Sequence, residues 1–335
     1  MDRPIRLCRQ APGRNRRRAL RPHGRRRQVG LEILDPTPQN VARAVRTLMA
    51  SGVVVMPTET VYGLACRATD AVAVSKVFAA KGRPAENPLI VHVASPTMAE
   101  EIALIDARAR ALMDAFWPGP LTLVVPKREG IPDAVTAGLP TVAVRRPDHS
   151  VALALIEGAG PVAAPSANRS SRLSPTRAQD VDPMLGDFLV LDGGPCRVGI
   201  ESTIVNLADS EGPRLLRLGR ISRQDLEHVL CVPILDRKEG APIVAPGEYP
   251  KHYAPLTPVR LAASLAEGDA GLTFGQSANF RQVAMPSDPG AYAAALYHSL
   301  AELDSLGLAE IVVQTPPAIP EWEPIWDRLR RATGE

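Results

Sequence analysis

Between residues 41 and 230, short apolar runs of strand length alternate with stretches of helical period, and that alternation restricts the chain to an α/β architecture. The runs at 53–56, 89–94, 121–125, 141–144, 162–164, 188–191, 203–207 and 215–218 read as strands. Val41, Val45, Leu48 and Met49 share one helical face. Residues 71–80 form a second helix with Asp70 as cap. Residues 98–116 read as one long helix stopped by Trp117-Pro118-Gly119-Pro120, and 151–156 as a short one. Pro175 sits at the first turn of a predicted helix over 175–181 capped by Ser174. Ser222 and Asp225 stand in capping-box spacing for 222–230. Isolated and consecutive strands together predict a mixed sheet, so 31–230 is expected to be one α/β domain. Residues 231–258 are proline-rich and aperiodic and read as a linker. Residues 259–335 return to strands and helices and read as a small C-terminal βαβ unit.

Charge separates the first 30 residues from the rest. They hold eleven arginines and one acid, a charge of +10 against +3 for the whole chain, which leaves −7 elsewhere. Such a tail has no apolar periodicity and is expected to be disordered. It reads as an RNA-binding arm, a transit peptide or a dispensable leader; the absence of Ser and Thr disfavours the transit peptide, and the dispensable leader is preferred. There is no apolar run long enough for a transmembrane helix and no secretory segment, so a cytoplasmic protein without membrane attachment is expected. Cys8, Cys66, Cys196 and Cys231 form no C-x-x-C pair, which removes the usual zinc and disulfide frameworks.

The chemistry-bearing residues gather at the edges of the apolar runs. Pro57-Thr58-Glu59-Thr60-Val61-Tyr62-Gly63 follows the run at 53–56. Lys81 and Arg83 follow a helix and can hold a polyphosphate, although a lone pair of this kind is more commonly a solvated helix end. His92 lies within an apolar strand, where a histidine is more often a core residue than a ligand. Ala164-Pro165-Ser166-Ala167-Asn168 offers hydroxyl and amide groups after another strand, and Glu201-Ser202-Thr203 follows a glycine-rich loop. Arg145 and Arg217 end strands. No P-loop, no G-x-G-x-x-G and no H-E-x-x-H occurs, and the scattered histidines suggest no metal held by protein side chains.

Taken in order, the segments P-T-E-T-V-Y-G-L (57–64), K-G-R-P-A-E-N-P-L-I-V-H-V (81–93), W-P-G-P-L-T-L-V (117–124), T-A-G-L-P-T-V-A-V-R (136–145), A-P-S-A-N-R-S (164–170), S-P-T (174–176), E-S-T-I-V-N (201–206) and L-R-L-G (216–219) resemble the YrdC-like family of threonylcarbamoyl-AMP synthases. P-G-E-Y-P-K-H-Y-A-P (246–255) resembles the linker signature of the two-domain form. The resemblance implies a YrdC-like catalytic domain over 31–230 with a twisted mixed sheet. A linker and lid over 231–258 and a Rossmann-like small domain over 259–335 would follow it.

The resemblance also implies a reaction. L-threonine, bicarbonate or CO2, and ATP with Mg²⁺ would give L-threonylcarbamoyl-AMP and pyrophosphate. A downstream tRNA threonylcarbamoyltransferase would then modify position 37 of tRNA, so tRNA is an indirect partner. Carried over by position, Lys81 and Arg83 would be catalytic. Thr60, His92, Arg145, Ala164 and Ser202 would bind L-threonine. Arg83, Asn87, Thr141, Ser166, Asn168, Ser174 and Arg217 would bind ATP, and His252 and Tyr253 would form the lid. Two alternatives remain at this point: an RNA-binding protein without catalysis, and a carbamoyl-adenylate-forming maturation enzyme, whose zinc-finger C-x-x-C pairs are missing. Two departures from the family pattern stand out. Ser171 replaces a glycine after S-A-N-x-S, and Asn206 replaces an aspartate.

Overall fold

The computed structural model describes Met1 and residues 30–238, 240–241, 243–247 and 253–334. The arginine-rich tail and His252 lie outside the described residues. Eleven strands form the larger sheet: β1 (Glu32–Leu34), β2 (Val54–Met56), β3 (Gly63–Arg67), β4 (Ile90–His92), β5 (Leu121–Pro126), β6 (Thr141–Arg145), β7 (Val162–Ala163), β8 (Leu189–Leu191), β9 (Thr203–Asn206), β10 (Arg214–Arg217) and β11 (Leu235–Asp236). Their order is β1-β8-β2-β3-β7-β4-β6-β5-β9-β10-β11, with parallel and antiparallel neighbours interleaved.

The strands read as unbroken apolar runs because both faces of the sheet are covered. Val54 and Met56 pack into a cluster with Ala44 and Leu48 of helix Pro38–Met49 and Leu155 and Ile156 of helix Ser150–Ala159. Val53 and Val55 belong to the opposite core, with Val74, Val77, Leu112 and Met113. Alternate residues of one strand thus serve two cores, as the pleat requires.

The predicted long helix is two, Pro96–Ile102 and Ala107–Phe116. Between them Ala103 bridges to Lys127, and the Asp106 carboxylate accepts from Ala109 N at 2.8 Å to start the second helix afresh. The helix predicted over 175–181 is absent apart from one 3-10 turn, Ala178–Asp180. Ser174 does not cap it; its hydroxyl donates to Glu201 instead, and Pro175 O accepts from Tyr62 N. Tertiary partners took the groups that a helix start would have used. The capping box at Ser222 and Asp225 is present. Strand β1 escaped sequence reading because three largely exposed residues are too few to set up a period.

A second, four-stranded sheet follows: β12 (Val259–Ala262), β13 (Gly271–Phe274), β14 (Gln282–Met285) and β15 (Ile311–Gln314), in the order β12-β15-β13-β14 and wholly parallel. Helices Pro289–Asp304 and Glu323–Thr333 pack on it. The core of this unit also takes in Val61, Ile200 and Tyr253, so the two sheets are joined by apolar packing as well as by the chain.

Candidate active site

Strands β4 and β6 are parallel neighbours, and their register sets His92 directly beside Arg145 at their carboxyl ends. The turn after β2 arrives at the same edge. This is where open α/β sheets leave a crevice. The cavity there is lined by Thr58, Thr60, His92, Arg145, Arg83, Ser166 and Arg217, with Val61, Ile90 and Ala164 as apolar wall. Pro246, Gly247 and Tyr253 close one side.

The turn after β2 is braced from within. Thr58 Oγ1 donates to Val61 O at 2.6 Å and accepts from the amides of Thr60 and Val61 at 3.2 Å each. That fixes Thr60, whose hydroxyl accepts from Arg145 Nη1 at 2.9 Å. Arg145 Nη2 lies 2.7 Å from Glu59 Oε1 in a buried ion pair. The guanidinium is therefore charged, dry and held from two sides, as a carboxylate receptor needs. His92 Nδ1 is buried without a partner. Burial first, and the neighbouring Arg145 second, push the His92 imidazole down to about 3, so it is neutral at physiological pH and offers an acceptor nitrogen.

The cations sit differently from one another. Arg83 lines the cavity and is steadied by Asn87: its Nε donates to Asn87 O at 3.0 Å and its Nη2 to Asn87 Oδ1 at 2.5 Å. Lys81 is buried behind the wall, where its ammonium donates to Ser166 O at 2.5 Å and to Asn168 O. Burial, and then Arg83, hold its pKa well below the ordinary lysine range. Lys81 thus shapes the 166–168 loop and faces carbonyl oxygens. Asn168 Nδ2 donates to Arg169 O and Arg172 O, bridging that loop. Within it Ser171 takes a φ of 67°, the left-handed region that favours glycine.

The remaining sequence-named residues lie in the cavity wall, one layer behind it, or away from it. Ala164 and Ser166 line the cavity, and Arg217 spans its rim, donating to Ser202 O at 2.9 Å, Ser202 Oγ at 3.1 Å and Pro246 O at 3.2 Å. Ser202 and Ser174 are buried one layer behind, Ser202 against Thr122 and Ser174 on Glu201. Thr141 begins β6, at the opposite end from Arg145, and is not among the lining residues. Asn206 Oδ1 accepts from Ala208 N and so fixes a turn. Gly219 has a steric reason: a Cβ there would stand 2.4 Å from Thr203 N and 2.7 Å from Glu201 O.

Two carboxylates that matter were given no role by sequence reading. Glu59 pairs Arg145, and Glu201 collects Ser174 Oγ, Tyr297 OH and Arg328 Nε at 2.6, 3.0 and 2.9 Å. Burial alone would push the Glu201 carboxyl up, but Arg328, Arg217 and the Ser174 hydroxyl together hold it below the usual range. The signal was an acid inside a buried segment, which demands a cation; the partners are remote in sequence and could not be matched. Tyr62 OH donates to Gly194 O at 2.7 Å and accepts from Gly193 N, which ties the glycine loop to the turn. Among the described residues no group of three metal-ligating side chains occurs.

A family model described as Telomere recombination, Sua5/YciO/YrdC, matches residues 46–219. The chain belongs to the Sua5/YciO/YrdC family. A second model of the family's two-domain form, described as the threonylcarbamoyl-AMP synthase C-terminal domain, matches residues 221–334. Within the family, the chain is 43% identical over 244 residues to a threonylcarbamoyl-AMP synthase of Bacillus subtilis, with 70% of each chain covered. It is 47% identical over 214 residues to one of Pyrococcus abyssi, covering 62% of this chain and 63% of that one. The crystal structure of P. abyssi Sua5 complexed with L-threonine superposes with a TM-score of 0.81 at 33% identity, over 91% of this chain and 97% of that one.

Proposed function

We infer that this protein makes L-threonylcarbamoyl-AMP from L-threonine, bicarbonate or CO2, and ATP, releasing pyrophosphate, for the N6-threonylcarbamoyladenosine modification of tRNA position 37. The observation that carries the reading is the dry Thr60–Arg145–His92 corner at the strand ends. It combines a fixed cation, a hydroxyl and an unpartnered neutral nitrogen, beside a second cation on Arg83. Its membership of a family of threonylcarbamoyl-AMP synthases supports it.

In this reading Arg145 takes the threonine carboxylate through a charge-assisted hydrogen bond. His92 Nδ1 accepts from the amine or hydroxyl. At a pKa of about 3 it is too weak a base to hold a proton at neutral pH, so it orients the substrate rather than deprotonating it. The amine lone pair adds to CO2 and the nitrogen passes a proton to bicarbonate or water, giving a carbamate. A carbamate oxygen attacks the α-phosphorus of ATP, and the bond to the bridging oxygen breaks with its electrons leaving on pyrophosphate. Arg83, steadied by Asn87, neutralises phosphate oxygens, and Arg217 reaches the same cavity from β10. Lys81 keeps the Ser166–Asn168 carbonyls in place around the nucleotide. Ser202 and Ser174 support Arg217 and Glu201 from behind, and Tyr253 closes the wall.

The buried carboxylates around the cavity, Glu59 and Glu201, are each engaged by an arginine. Mg²⁺ therefore enters as part of the MgATP substrate, held by phosphate oxygens and stabilising charge on them. The L-threonylcarbamoyl-AMP is handed to a tRNA threonylcarbamoyltransferase. Among the described residues no helix is long and apolar enough to cross a membrane. Pyrophosphate release in ATP and bicarbonate, with and without L-threonine and with serine as control, tests the reading. Threonine-dependent release is expected; threonine-independent release overturns it.

A further inference from the structure

The small domain reaches the wall of the cavity with two side chains, Arg328 and Tyr297. Arg328, on helix Glu323–Thr333, is 1% exposed although it belongs to the domain that carries none of the cavity's polar ligands. Its Nε donates to Glu201 Oε2 at 2.9 Å, and its Nη2 donates across the junction to Leu218 O at 2.9 Å. The same guanidinium lies over the Tyr253 ring, 5.0 Å from its centroid. Tyr297, from helix Pro289–Asp304, also stacks on Tyr253, at 5.8 Å between ring centroids, and donates its hydroxyl to Glu201 Oε2. Glu201 and Tyr253 both line the cavity.

We propose that Arg328 is a positioning residue of the active site: it holds the Glu201 carboxylate and the Tyr253 ring in the cavity wall, so the small domain is a working part of the site. Three features support this. Glu201 has two oxygens and three donors, one from the large domain and two from the small, so its orientation is set by both. Tyr253 meets both a cation and an aromatic ring of the small domain, contacts that fix the ring plane as well as its place. Gly247 completes the contact. A Cβ there would stand 2.6 Å from the Tyr253 hydroxyl and 2.9 Å from the Arg217 side chain. The wall is therefore packed without slack from Arg328 through Tyr253 to Arg217, which reaches Ser202.

A guanidinium is required at this place. One plane must give a donor to a carboxylate, a second donor to a carbonyl, and a flat face to an aromatic ring. A lysine ammonium can keep the charge and cannot do all three.

The proposal rests on the reading of this cavity as the adenylate-forming site, and the experiment separates the two. Pyrophosphate release is measured in the full chain for wild type, Arg328→Lys, the double variant Arg328→Met/Glu201→Gln and the exposed control Arg330→Ala, with melting temperature recorded for each. If wild type shows no threonine-dependent release, the functional reading fails. With an active wild type, Arg328→Lys is expected to melt as one folded species and lose about 10²-fold in kcat/KM for threonine or ATP, the scale of a slightly misplaced site. The double variant removes the stranded charge along with the arginine. It is expected to regain melting temperature without regaining turnover, because the cation over the Tyr253 ring is still missing. Wild-type kcat and KM in folded Arg328→Lys, or turnover restored in the double variant, overturn the proposal and leave Arg328 a neutralising partner only.

Discussion

Replacing Glu59 by glutamine removes a charge from the site with almost no change of shape. Glu59 Oε1 stands 2.7 Å from Arg145 Nη2, and the two side chains are 1% and 4% exposed. Unit charges about 4 Å apart, roughly the spacing of the two delocalised charge centres, attract by about 4 kcal/mol at an effective dielectric constant of about 20. Breaking a buried pair from one side costs about 3–5 kcal/mol, because the other charge is left dry and unmatched. In a domain of this size that corresponds to a fall of about 10 °C in melting temperature. A second consequence distinguishes a binding arginine from a structural one. The carboxylate of L-threonine supplies the counter-charge that Glu59→Gln lacks. Threonine should therefore raise the melting temperature of the variant by more than it raises that of wild type, since a ligand's stabilisation grows with the logarithm of its affinity for the folded state. Scanning calorimetry of both proteins, with and without a fixed excess of threonine, reads the two effects together. A Glu59→Gln protein that melts with wild type refutes the energetic argument; equal threonine shifts in the two proteins refute the assignment of Arg145 to the substrate carboxylate.

Arg83→Ala should lower kcat by about 10²–10³-fold in the pyrophosphate assay while leaving the melting temperature near that of wild type, because it removes a cavity-facing cation; undiminished turnover would count against its phosphate role. The His92 pKa is lower in the folded state, about 3 against an ordinary 6.5, so the unfolded chain binds more protons between these values. The stability tied to it is complete above about pH 6.5 and is lost as pH falls toward 3, amounting to about 2 kcal/mol by pH 5. Urea midpoints measured from pH 8 to pH 4 should fall less steeply for His92→Asn than for wild type, and parallel curves would contradict the burial argument. Ser171→Gly should stabilise the protein by about 1 kcal/mol by relieving a left-handed φ, read as a higher urea midpoint.

Much of the candidate site was legible because its residues lie at the ends of apolar runs. Thr60, His92, Arg145 and Arg217 each sit at a strand end or in the turn just after a strand, and period alone locates such ends. What period could not supply was the direction of the side chains. Lys81 and Arg83 look equivalent in sequence, yet one points at carbonyl oxygens and the other into the cavity. Ser174 and Pro175 carry every local mark of a helix start, and the chain spends them on Glu201 and Tyr62 instead. The break after Ile102 was hidden because residues on both sides keep helical composition, and only the bridge from Ala103 to Lys127 shows why the helix ends there.

The amino-acid sequence by itself determined the α/β class, the two-part organisation and the set of polar groups brought to the strand ends. These follow from local apolar spacing, which each segment carries within itself. Only the tertiary structure decided which charges meet. Glu59 with Arg145 and Glu201 with Arg328 are pairs remote in sequence, and a buried charge finds its partner through sheet register and domain docking. That is why the cavity could be located from the chain, while the part played by the small domain in its wall could not.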